Sequence, residues 1–239
     1  MIDAAFAQAF EATWPAVDYA DCGGFRVGLG QCAGGRVSSA RPAGAWSEDD
    51  ITRVEVQCRA WHQPALFRVM SDDSALQDAL VARGYARHTP TTLMAAPIEL
   101  LTAEPLPPLK AFAVWPPMAI QREVWAEAGR VDAARQAIMD RAPEPKAALL
   151  GRVSDRAAGA GFVAVADGVA MVHAMEVLPD RQRQGVAGWM MRQAAFWAVD
   201  HGATRIGLAV ADDNVAALAT YRKLGFEVIG NYAYYGKPA

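Results

Sequence analysis

Apolar and polar positions alternate along this chain in two rhythms, and the order in which they occur outlines the fold. The opening "MIDAAFAQAFEATW" reads as an amphipathic helix, and "GGFRVGLGQCAGGRVSSA" as two short strands around glycine turns. "SEDDITRVEVQCRAWH" begins with a Ser47 cap and continues with Ile51, Val54, Val56 and Trp61 at helical spacing. Residues 118–142 place Ile120, Val124, Ala128 and Val131 three or four apart, which predicts a helix. Three strands follow, "KAALLGRVSD", "GAGFVAVAD" and "GVAMVHAMEVL", the last two joined by Asp167-Gly168, a hairpin turn pair. Met190, Ala194 and Trp197 then stripe a helix that ends near Gly202, and "TRIGLAVA" reads as a buried strand. A short helix from about Asn214 to Leu224 precedes "GFEVIG" and "YAYYGK", expected as a final strand pair.

Strands and helices so interleaved predict an α+β (mixed α/β) fold. Residues 100–117 hold five of the 14 prolines and read as a linker. This divides the chain into domains 1–99 and 118–239, and 239 residues are enough for two cores. "VMSDDSALQDALVARGY" (69–85) also superposes on "VADDNVAALATYRKLGF" (210–226) at an offset of 141, as expected of two copies of one unit. Two unrelated amphipathic helices with turns are the alternative.

Composition narrows the function. A formal net charge of -3 with 53% hydrophobic residues describes a soluble globular protein and argues against nucleic acid as a partner. Three cysteines without a C-x-x-C pair suggest neither a disulfide framework nor a metal site. The N-terminus lacks the basic region of a signal peptide, and the most apolar stretch is broken by Asp167 and Gly168. The expectation is a cytoplasmic protein without a membrane segment, monomeric or homodimeric.

The chemistry concentrates in "LPDRQRQGVAGWMMRQAA". Gln182, Gly185 and Ala187 sit at the mouth of a helix, where unpaired N–H groups and small residues suit a phosphate. A nucleotide P-loop is a poor match, because the Gly-Lys-Ser/Thr ending is missing.

The series "EVLP", "QRQGVAG", "LAVADDN" and "ALATYRKLGF" resembles the GNAT (Gcn5-related) N-acetyltransferases, over roughly residues 110–239 and most sharply over 175–226. The resemblance implies two GNAT-like domains, each a mixed, mostly antiparallel twisted sheet flanked by helices, with splayed central strands in the second. It implies acetyl-CoA as cosubstrate, no metal, and acyl transfer to a primary amine of a small molecule or peptide by direct attack in a ternary complex. Gln182, Arg183, Gln184, Gly185, Val186, Ala187 and Gly188 would hold the diphosphate, Met175 and Val177 the pantetheine arm, and the Val177 N–H the oxyanion. Asn214 would reach the pantetheine as well as cap its helix. Tyr221 stands where the family keeps the acid that protonates departing CoA; a core tyrosine is the alternative reading. Lys223 reads as an exposed lysine or a phosphate neighbour.

The base is open among Glu176, His173 and water, with Glu176 favoured. Being three residues apart, the two side chains face opposite sides of a regular strand unless a bulge intervenes. Family members that modify ribosomal protein N-termini carry a glutamate where this chain has Ala209, which argues against that substrate. The first half resembles a degenerate copy, with Leu80 at the place of Tyr221 and no phosphate loop after "RVSSARP". Tandem forms, including the mycothiol-making acetyltransferases, imply that such a half shapes the acceptor cleft, where Trp46, Trp61, His62 and Arg68 are candidates. A non-catalytic acyl-CoA-binding or regulatory protein is the competing class.

Overall fold

The computed structural model describes residues 2–237. In chain order the elements are α1 (Ala4–Ala12), β1 (Asp18–Cys22), β2 (Phe25–Leu29), α2 (Gly35–Ser38), β3 (Ala40–Pro42), α3 (Glu48–Ala60), β4 (Leu66–Met70), α4 (Ser74–Ala82), β5 (Ala86–Pro97) and α5 (Glu99–Thr102). They continue with β6 (Ala111–Val114), α6 (Ala119–Ala128), α7 (Ala133–Arg141), β7 (Lys146–Val153), β8 (Arg156–Ala166), β9 (Val169–Val177), α8 (Val186–Val199), β10 (Arg205–Ala211), α9 (Val215–Lys223) and β11 (Glu227–Gly236). Two compact units result: Met1–Trp14, Leu93–Val210 and Asn214–Ile229 form the first, and Pro15–Thr92, Ala211–Asp213 and Gly230–Ala239 the second.

In the first unit the strands lie in the order β5-β10-β9-β8-β7-β6. The β6–β7, β7–β8 and β8–β9 pairs are antiparallel and β9–β10 is parallel. The turn into β9 has positive φ at both Asp167 (48°) and Gly168 (71°), which matches the twist of a tight hairpin. Period-two alternation divides the strands between two cores. Leu149, Val163 and Val165 face α8, whereas Ala148, Phe162 and Ala164 face α6, α7 and Trp14. Because both faces are covered, β7 and β8 carry apolar residues almost throughout, as fully buried strands do. Helix α1 belongs to this unit, with Asp3 capping it through the Phe6 N–H (3.0 Å) and pairing with Arg205 of β10.

In the second unit the order is β1-β2-β3-β4-β11, antiparallel except for the single parallel β3–β4 pair. Phe25, Phe67 and Tyr85 meet edge-on at 5.6 and 5.2 Å in its core. Asp50 reaches back to the Ser47 N–H at 3.0 Å, the capping-box contact that starts α3. The chain's last strand completes this sheet, running Tyr232–Gly236 against Met70–Leu66 of β4.

Several elements differ from the sequence expectation. Residues 118–142 form two helices because Gly129, at φ 73°, ends the first. Residues 100–117 are not all linker: they hold most of α5 and all of β6, with Pro105, Pro107 and Pro108 between them. The expected final strand pair is one strand, β11, shared between the units.

Candidate active site

The site is built where β9 and β10 part. Their parallel ladder ends at Leu208↔Val172, although β9 continues to Val177 and β10 to Ala211. The β10-facing edge of residues 173–177 is therefore left without a ladder partner among the described residues. Leu178 N–H donates to Ala158 O at 2.9 Å, so by antiparallel alternation the N–H and C=O of Val177, which faces Gly159, turn away from β8. The Val177 C=O accepts from Gln182 Nε2 at 3.4 Å. Its N–H faces the gap.

Beyond Val177 a 3₁₀ turn, Pro179–Arg181, leads into the loop. Arg183 (φ 59°) and Gly185 (φ 83°) are left-handed, and Gly185 is the N-cap of α8. The first bond of that helix runs from Trp189 N to Gly185 O at 3.0 Å. The N–H groups of residues 183–188 make no hydrogen bond among the described residues, so Arg183, Gln184, Gly185, Val186, Ala187 and Gly188 offer free donors at the positive end of a 14-residue helix. A β-carbon on Gly188 would meet no protein atom within 4 Å, so packing does not demand glycine there. Glycines do matter beneath the helix, where β-carbons on Gly151 and Gly159 would lie 2.6–3.1 Å from Val186 and Met190. Their absence lets α8 settle close to the strands and fixes the loop beside the end of β9.

A bulge lies just upstream. His173 pairs with Phe162 and Glu176 with Ala160, leaving Ala174 and Met175 together opposite Gly161. Ala174 takes φ 51°, and its carbonyl accepts from Trp125 Nε1 of α6 at 2.9 Å. A β-carbon on Gly161 would come within 2.4 Å of the Met175 sulfur, so glycine makes room for that side chain on the α8 face. The extra residue places His173 and Glu176 on the same, opposite face.

Their environments differ. His173 is buried, its ring 4.9 Å from Trp14 and 6.2 Å from Phe162. The Thr13 hydroxyl donates to Ala9 O at 2.7 Å, so at 2.9 Å it accepts from His173 Nε2–H. Glu176 is half-buried and makes no ion pair among the described residues; burial raises its carboxyl pKa, opposed by the charges of Arg130 and Arg135. Tyr221, on α9, is 7% exposed and packs on Phe226 at 5.8 Å. Burial, with a smaller contribution from the Glu176 charge, pushes its phenol up to about 12. Its hydroxyl makes no hydrogen bond among the described residues. Asn214 caps α9 through the Ala217 N–H at 3.2 Å. Lys223 is exposed in the last turn of α9, where the helix dipole favours a cation.

Residues 115–226 match the model of the Acetyltransferase (GNAT) family. The chain carries a GNAT-family domain. Over the whole chain the fold is similar to a GCN5-related N-acetyltransferase from Kribbella flavida, with a TM-score of 0.71 at 20% identity, covering 98% of this chain and 93% of that one. It is also similar to a tandem GNAT protein from the clavulanic acid biosynthesis pathway, with a TM-score of 0.58 at 14% identity over 82% of this chain and 74% of that one. Among curated relatives, the aminoglycoside N(6')-acetyltransferase type 1 of Acinetobacter haemolyticus is 36% identical over 69 residues, 29% of this chain. An uncharacterized N-acetyltransferase, YobR, of Bacillus subtilis (strain 168) is 32% identical over 74 residues, 31% of this chain. The chain spans 48% and 30% of the length of these two curated relatives.

The GNAT domain thus brings Glu176, Val177, the loop donors and Tyr221 to one end of its sheet. The charges of Arg130 and Arg135 also act on Glu176. No local pattern marks these two arginines, which follow Trp125, itself bonded to Ala174, 49 residues away in sequence. The second unit holds the other expected residues. Trp46 packs on Phe25 at 5.9 Å, Trp61 lies partly buried on the same core, and Arg68, 6% exposed, stacks over Tyr232 at 5.7 Å. His62 is exposed just after α3.

Proposed function

We propose that the GNAT domain transfers the acetyl group of acetyl-CoA to a primary amine of a small molecule or peptide, by direct attack within a ternary complex. The observation that carries this reading is the row of free N–H groups at residues 183–188 beside the place where the β9–β10 ladder stops. The loop amides and Arg183 would take the diphosphate. The free edge of β9 at Met175 and Val177 would pair with the amides of the pantetheine arm, as an added strand does, and the side-chain amide nitrogen of Asn214, without a bond among the described residues, offers a further donor at the start of α9.

Chemistry follows from the residues around the gap. The amine attacks the thioester carbonyl, forming the C–N bond, and its proton passes to Glu176 directly or through water. The Val177 N–H stabilises the oxygen that gains charge, a donor of a kind worth about 10²-fold or more in rate. As the C–S bond breaks, Tyr221 gives its proton to the sulfur. With a pKa of about 12 the phenol is always protonated when needed. Proton exchange through solvent restores both groups. His173 fits the role of base less well than Glu176, since it is closed in by Trp14 and Phe162 and bound to Thr13.

The second unit reads as a degenerate copy. Asp73 caps α4 as Asn214 caps α9, Tyr85 N bonds Leu80 O as Phe226 N bonds Tyr221 O, and Gly84 and Gly225 are both left-handed. Leu80, fully buried, stands in place of the acid. The aminoglycoside named for one relative favours a small-molecule amine as acceptor, and the reduced thiols expected of the three cysteines favour the cytoplasm.

Mixing the protein with acetyl-CoA and a panel of amines while following free thiol tests the reading. Thiol release that requires an amine supports it. Tight CoA binding by calorimetry with no turnover across the panel would instead identify a non-catalytic acyl-CoA-binding protein.

A further inference from the structure

The second unit, which carries Leu80 where the first carries Tyr221, holds a cavity of about 170 Å³ lined by Val69, Ser71, Gln77, Arg87, Ala233 and Tyr235. Its floor is apolar and buried. Val69 of β4 lies opposite Ala233 of β11, and both, with Tyr235 two positions on, are 3% exposed or less in the core that α4 covers. The rim is polar. Gln77 of α4 is clamped there, its Nε2 donating to Met70 O at 3.1 Å and to Ser71 O at 3.2 Å. Arg87, near the start of β5, is the one charged residue of the lining, and its guanidinium makes no ion pair or hydrogen bond among the described residues. Nor does the Ser71 hydroxyl make a hydrogen bond among them.

Nothing in the architecture of the two copies calls for these polar groups. The offset of 141, carried two residues past the repeat, sets Gln77 against Leu218 and Arg87 against Val228, and Leu218 is buried in the apolar core of its own unit. We infer that the second unit binds a short-chain monocarboxylate in this cavity, with the carboxylate on Arg87 and the carbon chain on Val69, Ala233 and Tyr235. A guanidinium pairs with a carboxylate through two parallel N–H bonds, whereas an apolar floor gives a bare inorganic anion nothing to bury. The volume limits the chain: at about 30 Å³ per water it equals about five waters, the space of an acid of a few carbons. Every lining residue belongs to the second unit, so the inference stands independently of the acyl-transfer reading.

The test titrates the nitrogen-15-labelled full chain with the acids from acetate to hexanoate, each beside its neutral amide, and with inorganic phosphate, and follows the backbone amide resonances. The expected result is a set of saturable shifts at residues 69–77, 87 and 232–235, with the acids bound about tenfold or more tightly than the matched amides, because a neutral amide cannot form the charge-assisted bonds that a carboxylate makes with arginine. Arg87→Gln brings that ratio toward one and Arg87→Lys restores part of it. Arg87 is exposed, so both variants should melt as the wild type does. No saturable shift at these amides with any acid overturns the inference. So does equal binding of acid and amide, or an acid preference that survives in Arg87→Gln. Phosphate that binds at the same amides as tightly as the best acid would mark an unselective anion site and likewise overturn it.

Discussion

His173 and Glu176 lie on one face of β9 although they are three positions apart, because Ala174 and Met175 together oppose Gly161. The bulge sets which side chains of β9 share that face. It also turns Met175 into the α8 core and leaves the Val177 N–H facing outward. The following expectations depend on that arrangement.

Glu176→Gln should lower kcat by about 10²-fold or more, the usual loss of a general base, while calorimetric CoA affinity stays close to wild type. The folded-state pKa of Glu176 is raised, so its ionised form is penalised on folding. The penalty is absent below the unfolded carboxylate pKa and complete above the raised folded value. Wild-type protein should therefore lose stability relative to the Gln variant as pH rises through that window, read as melting temperature against pH. A rate that is flat across the same window would remove Glu176 from the mechanism.

Tyr221→Phe should slow thiol release by about 10²-fold, a typical general-acid contribution. Its melting temperature should hold or rise, because the deleted hydroxyl makes no hydrogen bond among the described residues. With the phenol at about 12, no alkaline fall in rate should arise from Tyr221 below about pH 10. Unchanged turnover in the variant would show that another group protonates the sulfur.

Gly188→Ala separates folding from binding. A β-carbon there meets nothing within 4 Å, and Gly→Ala inside a helix stabilises by about 0.5–1 kcal/mol. The variant should melt no lower than wild type yet bind CoA about tenfold or more weakly, a difference of about 1.4 kcal/mol. Wild-type affinity would mean that the diphosphate lies elsewhere.

Trp125→Phe removes the donor to Ala174 O. Leaving that carbonyl unpaired should cost about 1–3 kcal/mol of stability, measured by denaturant unfolding. The bulge should loosen as well, lowering kcat more than CoA affinity.

Features fixed by neighbouring residues were legible in the sequence. The Asp167-Gly168 turn, the Ser47 cap, the Asn214 cap and the small residues of the 182–188 loop all act within a few positions of themselves. The repeat at offset 141 likewise appears as matching caps and left-handed glycines in α4 and α9. What was not legible depends on distant partners. Ala174 has no local reason to adopt positive φ, and Trp125 supplies it from α6. The prolines of 100–117 obscured β6, which is held as a strand by its pairing with β7. Gly230 continues β11 rather than breaking it because the following residues find partners in β4, far away in sequence. Nor does any local pattern mark Arg130 and Arg135, whose charges act on Glu176 more than 40 positions away.

Millisecond-pulse hydrogen exchange read by mass spectrometry, with and without CoA, probes the loop directly. Binding of the diphosphate by the amides of residues 183–188 predicts marked slowing of exchange in the peptide that contains them, with smaller protection along 175–177. CoA that binds while leaving exchange at 183–188 unaltered would contradict the placement of the coenzyme, and with it the roles given to Val177, Glu176 and Tyr221.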